Sequence, residues 1–106
     1  MASAIYNELS NAIRQKLTIV VDYNGYTRLL CPHAIGRKRG KEHLLAYQFG
    51  GDSSQPIGPD GSTQNWRCMD VAQLSNLSTR TGPWHTAPNH TRRQTCIDDI
   101  DVEVSY

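Results

Sequence analysis

A chain of 106 residues and 11.9 kDa has room for one small hydrophobic core, not for a cofactor domain beside a substrate domain. Its composition, 38% hydrophobic and 20% charged, is that of an ordinary water-soluble globular domain, and no apolar run approaches the length of a membrane-spanning helix. The net charge of +1 by itself predicts neither nucleic-acid nor membrane binding, yet the charges are unevenly placed: Arg37, Lys38, Arg39 and Lys41 fall together, while Asp98, Asp99, Asp101 and Glu103 gather near the end.

The opening MASAIYNELSNAIRQK lacks the basic start, apolar segment and small-residue cleavage site of a secretory signal, which predicts a cytoplasmic location. Ser3 is placed to cap a helix over residues 3–16, in which Ile5, Leu9, Ala12, Ile13 and then Leu17 recur at the spacing of one helical face. The β-branched run LTIVVDY predicts a strand over 17–23, and Asn24-Gly25 a tight hairpin turn into a second strand over 26–33, because both turn positions need positive φ. If Tyr23 faces Tyr26, then Val21 faces Arg28 and Ile19 faces Leu30, which puts an arginine on an otherwise apolar face. The opposite face, with Thr18, Val20, Asp22, Thr27, Leu29 and Cys31, is apolar enough at its centre for the helix to cover it. Further strands are predicted over 42–49 (EHLLAYQF), 66–72, 77–81 and 99–106, the last from Ile100, Val102, Val104 and Tyr106 alternating with polar residues. Residues 50–65, rich in Gly, Pro, Ser and Asp, predict a mobile loop. Arg67 shares a strand face with Met69 and Val71, so a second arginine lies on an apolar side. One helix followed by short strands joined mostly by hairpins predicts a single mainly β domain over 1–106, a small, strongly twisted antiparallel barrel or roll.

From Asn11 to Leu77 the chain resembles the WYL domain, a bacterial module with a small Sm-like barrel that often sits behind DNA-binding domains in transcription regulators. The resemblance lies in NAIRQKLTIVVDYNGYTRLLCPHAIG, similar to the family's helix end, its strand ending in Tyr-x-Gly and its Arg-x-x-x-Pro, and continues in HLLAYQ and RCMDVAQLSNL. Tyr23, Gly25, Arg28, Pro32, Leu45 and Arg67 match, whereas His43-Leu44-Leu45 stands in place of Trp-Tyr-Leu and Gln73 in place of a second arginine. The resemblance implies a regulatory sensing module that binds nucleic acid or a nucleotide-like effector, with no enzymatic activity and no cofactor.

The residues themselves point the same way. Guanidinium groups offer bidentate hydrogen bonds to phosphate, and aromatic rings stack on bases. Arg28 and Arg67, with Tyr23, Tyr26 and Trp66 beside them and the basic turn Arg37, Lys38, Arg39 and Lys41 flanking them, are therefore expected to form one surface for a nucleotide or single-stranded nucleic acid. The competing structural reading pairs Arg28 and Arg67 with acids such as Asp22 or Asp70, makes the basic cluster a solvated hairpin tip with Gly40 in the turn, and treats Trp66 and Trp84 as packing. Two other classes remain open: a homo-oligomer assembled through the edge of the strand from Ile100 to Tyr106, and a small hydrolase using Cys31 or His33. Cys31, Cys68 and Cys96 cannot all pair within one chain and are widely spaced, so reduced thiols are expected. A metal site drawn from Cys31, His33, His85, His90 and Cys96 lacks the short paired spacing of zinc motifs, so none is expected.

Overall fold

The computed structural model describes residues 4–52, 57–58, 65–82, 84 and 97–104. Helix α1 spans Ala4–Gln15, followed by β1 (Thr18–Tyr23), β2 (Tyr26–Lys38), β3 (Lys41–Gly51), β4 (Trp66–Asp70), a single 3-10 turn (Val71–Gln73), β5 (Ser75–Arg80) and β6 (Asp99–Glu103). Ser3, most of the 50–65 loop, His85, His90, Cys96 and the last two residues lie outside the described residues.

Helix α1 stops where Lys16 takes a left-handed φ of 53°. The Lys16 N–H donates to the Ile13 carbonyl and the Leu17 N–H to that of Ala12, at 3.2 and 2.9 Å, which satisfies carbonyls that a helix end leaves open. Strands β1 and β2 pair in the register expected from the turn: Tyr23 opposite Tyr26, Val21 opposite Arg28, Ile19 opposite Leu30. Asn24 and Gly25 have φ of 52° and 80°, as the two-residue turn requires.

All six strands join one antiparallel sheet in the order β4-β3-β2-β1-β5, with β6 also on β2. Strand β2 organises it. Its first half pairs with β1, its second half with β6, and nearly its whole length with β3. That division depends on irregularities between Leu29 and Leu30 and between Pro32 and Ala34, where the β2–β3 ladder shifts and the strand bends. Proline cannot donate to a ladder, so it is tolerated at such a bulge, and the His33 carbonyl accepts instead from Val104 N–H at 2.9 Å.

The fold is thus mainly β with one N-terminal helix, a twisted roll whose ladder is not closed between β4 and β5 among the described residues. A side chain spans part of the gap: the Tyr23 hydroxyl, on the hairpin, lies 3.5 Å from Asp70 N–H on β4. No helix among the described residues is long and apolar enough to cross a membrane.

Three expectations need correction. The helix does not cover the face of Val20 and Leu29. Its Tyr6, Leu9, Ala12 and Ile13 pack with Ile19, Val21, Leu30, Ile35, Leu44 and Met69 in the main core. That face is the more apolar, and burying each Leu or Ile there contributes about 1.5–3 kcal/mol. Secondly, β2 runs on to Lys38 rather than ending at residue 33, because the bulge lets the chain pass Pro32 without leaving the sheet. The basic cluster is the tip of the β2–β3 hairpin with Gly40 in the turn, as one reading of the sequence had it: Arg37 and Lys38 end β2, Lys41 begins β3, and Arg39 and Gly40, with φ of 53° and 80°, make the turn. Thirdly, Cys68 is disulfide-bonded, with its partner outside the described residues, while Cys31 is buried and not in a disulfide. A low density of cysteines does not exclude a disulfide, because one remote pair suffices.

Candidate anion-binding site

Side-chain alternation decides which residues meet. On β2 and β3 the core side carries Arg28 and Leu30, and Leu44, Ala46 and Gln48; on β4 it carries Arg67 and Met69. Where the apolar residues run out, towards the start of β2, that same side ends in Arg28, Gln48 and Arg67. The Gln48 amide joins them. Its Oε1 accepts from Arg28 Nη1 at 3.3 Å and from Arg67 Nε at 3.2 Å. Its Nε2 donates to the carbonyls of Gly50 and Asp52, each at 2.9 Å, which leaves the amide no freedom to flip without losing four bonds.

Each arginine is also tied to backbone: Arg28 Nε to the Tyr23 carbonyl at 3.4 Å, Arg67 Nη1 to the Trp66 carbonyl at 3.2 Å. The Arg28 guanidinium lies 5.1 Å from the centre of the Tyr23 ring and 5.6 Å from that of Tyr26, within range for cation–π attraction. Arg28 is 3% exposed, whereas Tyr26, at 36%, is among the large apolar side chains left open to solvent in the described residues. Burial pulls the Arg28 guanidinium below its ordinary pKa, with the two tyrosines opposing the shift. Arg67 is lowered by burial first and by the positive charge of Arg28 second, so the two cations stand close enough to repel. Both remain charged near neutral pH.

The acids expected to neutralise them are occupied elsewhere. Asp22 projects from the other side of β1, where its two oxygens accept from Thr27 at 2.7 Å and Asn76 at 2.8 Å, and these bonds, Asn76 first, hold its pKa below the ordinary carboxylate value. Asp70 alternates away from Arg67 and caps the 3-10 turn through Ala72 N–H at 3.1 Å.

Of the residues singled out in the sequence, the structure brings Arg28, Arg67, Tyr23 and Tyr26 together. Trp66 is not among them. One residue before Arg67, it points to the opposite face, edge-on to His33 at 4.7 Å and to Tyr47 at 5.1 Å between ring centroids. The basic turn is distant too: at about 3.3 Å per residue, Lys38 lies roughly 30 Å along β2 from Arg28. There Arg37 lies over the ring of Tyr6, 5.6 Å from its centroid, rather than beside the other arginines. The residue that sequence reasoning missed is Gln48. An uncharged side chain at a strand position reading as core, between Tyr47 and Phe49, was the available signal.

Cys31 and His33 are wholly buried, with His33 Nδ1 2.7 Å from the Cys31 carbonyl and the imidazole between Trp66 and Trp84. Among the described residues, no three His, Cys, Asp or Glu side chains are grouped to hold a metal ion. Among the described residues, a surface groove of about 240 Å³ lies beside Val20, Leu29 and Phe49, and another of about 300 Å³ lies between α1 and β5; neither is lined by Arg28 or Arg67. Comparison of the chain with protein-family models, with curated proteins and with solved structures gave no match.

Proposed function

We propose that the protein is a non-enzymatic binding module that recognises a phosphate-bearing ligand at the end of the roll defined by Arg28, Gln48 and Arg67, with Tyr23 and Tyr26 alongside. The observation that carries this reading is the convergence of two guanidinium groups on one neutral acceptor. Two guanidinium groups oriented on one acceptor can also donate charge-assisted hydrogen bonds to an anion. Tyr26, exposed beside Arg28, supplies a ring on which a base can stack. The WYL-like order of Tyr23, Gly25, Arg28, Pro32 and Arg67 agrees with a sensing role and belongs to the same proposal. Burial of Cys31 and His33 speaks against the hydrolase, because a nucleophile must be reached by its substrate. The proposal includes a cytoplasmic location, against which the Cys68 disulfide weighs, since such bonds persist mainly in oxidising compartments.

Calorimetric titration with adenosine monophosphate and a short oligothymidylate tests the reading. Binding should weaken as salt rises, and Arg67→Ala should cost about 1.5–3 kcal/mol, the worth of hydrogen bonds to a charged group. Lys38→Ala should leave affinity within a factor of about two, because an exposed lysine holds no fixed geometry. Equal losses in the two variants would move the site to the basic turn.

A further inference from the structure

A strand edge that no neighbour takes up offers a row of backbone N–H and C=O groups to another chain, and such edges are commonly guarded by charge, by proline or by a bulge. Among the described residues the outer strands of this sheet are β4, β5 and β6. Strand β4 carries Arg67, Asp70 and the disulfide at Cys68, and β6 carries Asp99, Asp101 and Glu103. Strand β5, Ser-Asn-Leu-Ser-Thr-Arg, has its one charge at the last position. The register between β1 and β5 shifts in the first half of β5, where Asn76 takes a φ of 54°, whereas Ser78, Thr79 and Arg80 lie regularly opposite Val20, Ile19 and Thr18.

Beside that regular half runs the groove of about 300 Å³ between β5 and α1. Thr79 is opposite Ile19, and Leu77 packs against the main core, so both lie on the helix side of the sheet and Ser78 on the other. Ala12 and Leu77 give the groove an apolar lining, and its helix wall bears an exposed carboxylate, Glu8. Glu8 and Ala12 are one helical turn apart, about 6 Å along the axis, close to the roughly 6.6 Å between alternate side chains of a strand.

We propose that β5 and α1 together receive an extended segment of a partner protein, which adds to the outer edge of β5 as a further strand. Its alternate side chains enter the groove: a small aliphatic one against Ala12 and Leu77 and, two positions away, a lysine or arginine that reaches Glu8. Ladder hydrogen bonds then supply affinity for any extended backbone, and these two positions supply the choice of partner. The surface is separate from the arginine end of the roll, since neither Arg28 nor Arg67 lines the groove.

The test selects a displayed library of random hexapeptides on the full chain, with Thr79→Arg as the counter-selection, because that change puts a long cation into the groove from an exposed position. Peptides of the pattern aliphatic-x-basic should be enriched. Glu8→Lys, also at an exposed position, should weaken an enriched peptide about fivefold, since an exposed attraction becomes a repulsion. Selection on Glu8→Lys should replace the basic residue of the pattern by an acidic one, so the charge swap decides the question if Thr79→Arg does not fold. Amide hydrogen exchange with an enriched peptide bound should slow within residues 77–80. No enrichment on the parent over the folded Thr79→Arg variant would overturn the proposal. So would enriched peptides that ignore the charge at position 8, or that slow amides elsewhere and not in β5. Outer β5 amides already protected in the free protein would overturn it as well: protection that grows with protein concentration would assign the edge to a second copy, and protection independent of concentration would assign it to the chain itself.

Discussion

At the scale of single residues, the site is held by groups that show no chemistry of their own. Gly51 is opposite Arg28 in the ladder and has a φ of 79°. A methyl group there would run into the Thr27 carbonyl oxygen and come within 2.9 Å of the Arg28 Cα. Gly25 has a similar φ, 80°, but open space where a Cβ would go. The comparison separates backbone strain from collision. Gly25→Ala should cost about 1–2 kcal/mol, the left-handed penalty alone, and leave ligand affinity unchanged. Gly51→Ala should cost more, about 3 kcal/mol when a comparable overpacking term is added, and should also weaken phosphate binding by shifting Arg28. Urea unfolding with parallel titrations measures both, and equal destabilisation by the two would show that the contact at Gly51 relaxes freely.

At the scale of elements, one strand serves three partners, and its geometry makes that possible. The second half of β2 accepts β6 only because Gly36 has no side chain: a Cβ there would meet the Asp99 carbonyl oxygen, and Ile97 Cγ2 at 2.7 Å. β6 contributes Val102 to the core, and the residue after it contributes Val104, while Asp101 accepts from the Tyr6 hydroxyl at 2.9 Å and so ties α1 to the same edge. Burial and then this hydrogen bond raise the Tyr6 pKa to about 12. Gly36→Ala should therefore detach β6 before anything else. Amide hydrogen exchange should quicken at Val102 and Val104 while protection of β1 and the first half of β2 persists. Uniform loss of protection would mean that β6 is not a separable unit and that the whole roll depends on it.

At the scale of the whole molecule, the roll divides its interior by chemistry. The main core lies under α1, a cationic end lies at the start of β2, and a second cluster of Cys31, Tyr47, Phe49, Trp66 and Trp84 fills the other side of the sheet. The Cys68 disulfide bears on where such a molecule persists. Denatured, unreduced protein should titrate one free thiol per chain, that of Cys31, and reduction should raise the count to three. Reduction should also lower the midpoint of thermal unfolding, since removing a crosslink typically costs about 2–5 kcal/mol in a small domain. Three titratable thiols before reduction would leave the cytoplasmic location without its main objection.

Local rules carried a good part of this protein. The helix over residues 4–15, the Asn24-Gly25 turn and the register that sets Arg28 opposite Val21 all follow from spacing and from the φ that each turn position demands, so the sequence alone determines them. The sharing of a side by Arg67 and Met69 is equally a matter of strand period. What spacing does not contain is the choice between the two faces of a hairpin, which depends on what the rest of the chain brings to cover them; the helix went to the side of Ile19 and Leu30. It does not contain the bulge at Pro32 either, because whether a proline ends a strand or bends it is settled by a partner such as Val104, just after β6, taking up the His33 carbonyl. Gln48 illustrates the same division. In the sequence it is a polar residue in an apolar strand, and it becomes the junction of two arginines only when β2, β3 and β4 lie side by side, so that residues 20 and 19 positions away reach one oxygen.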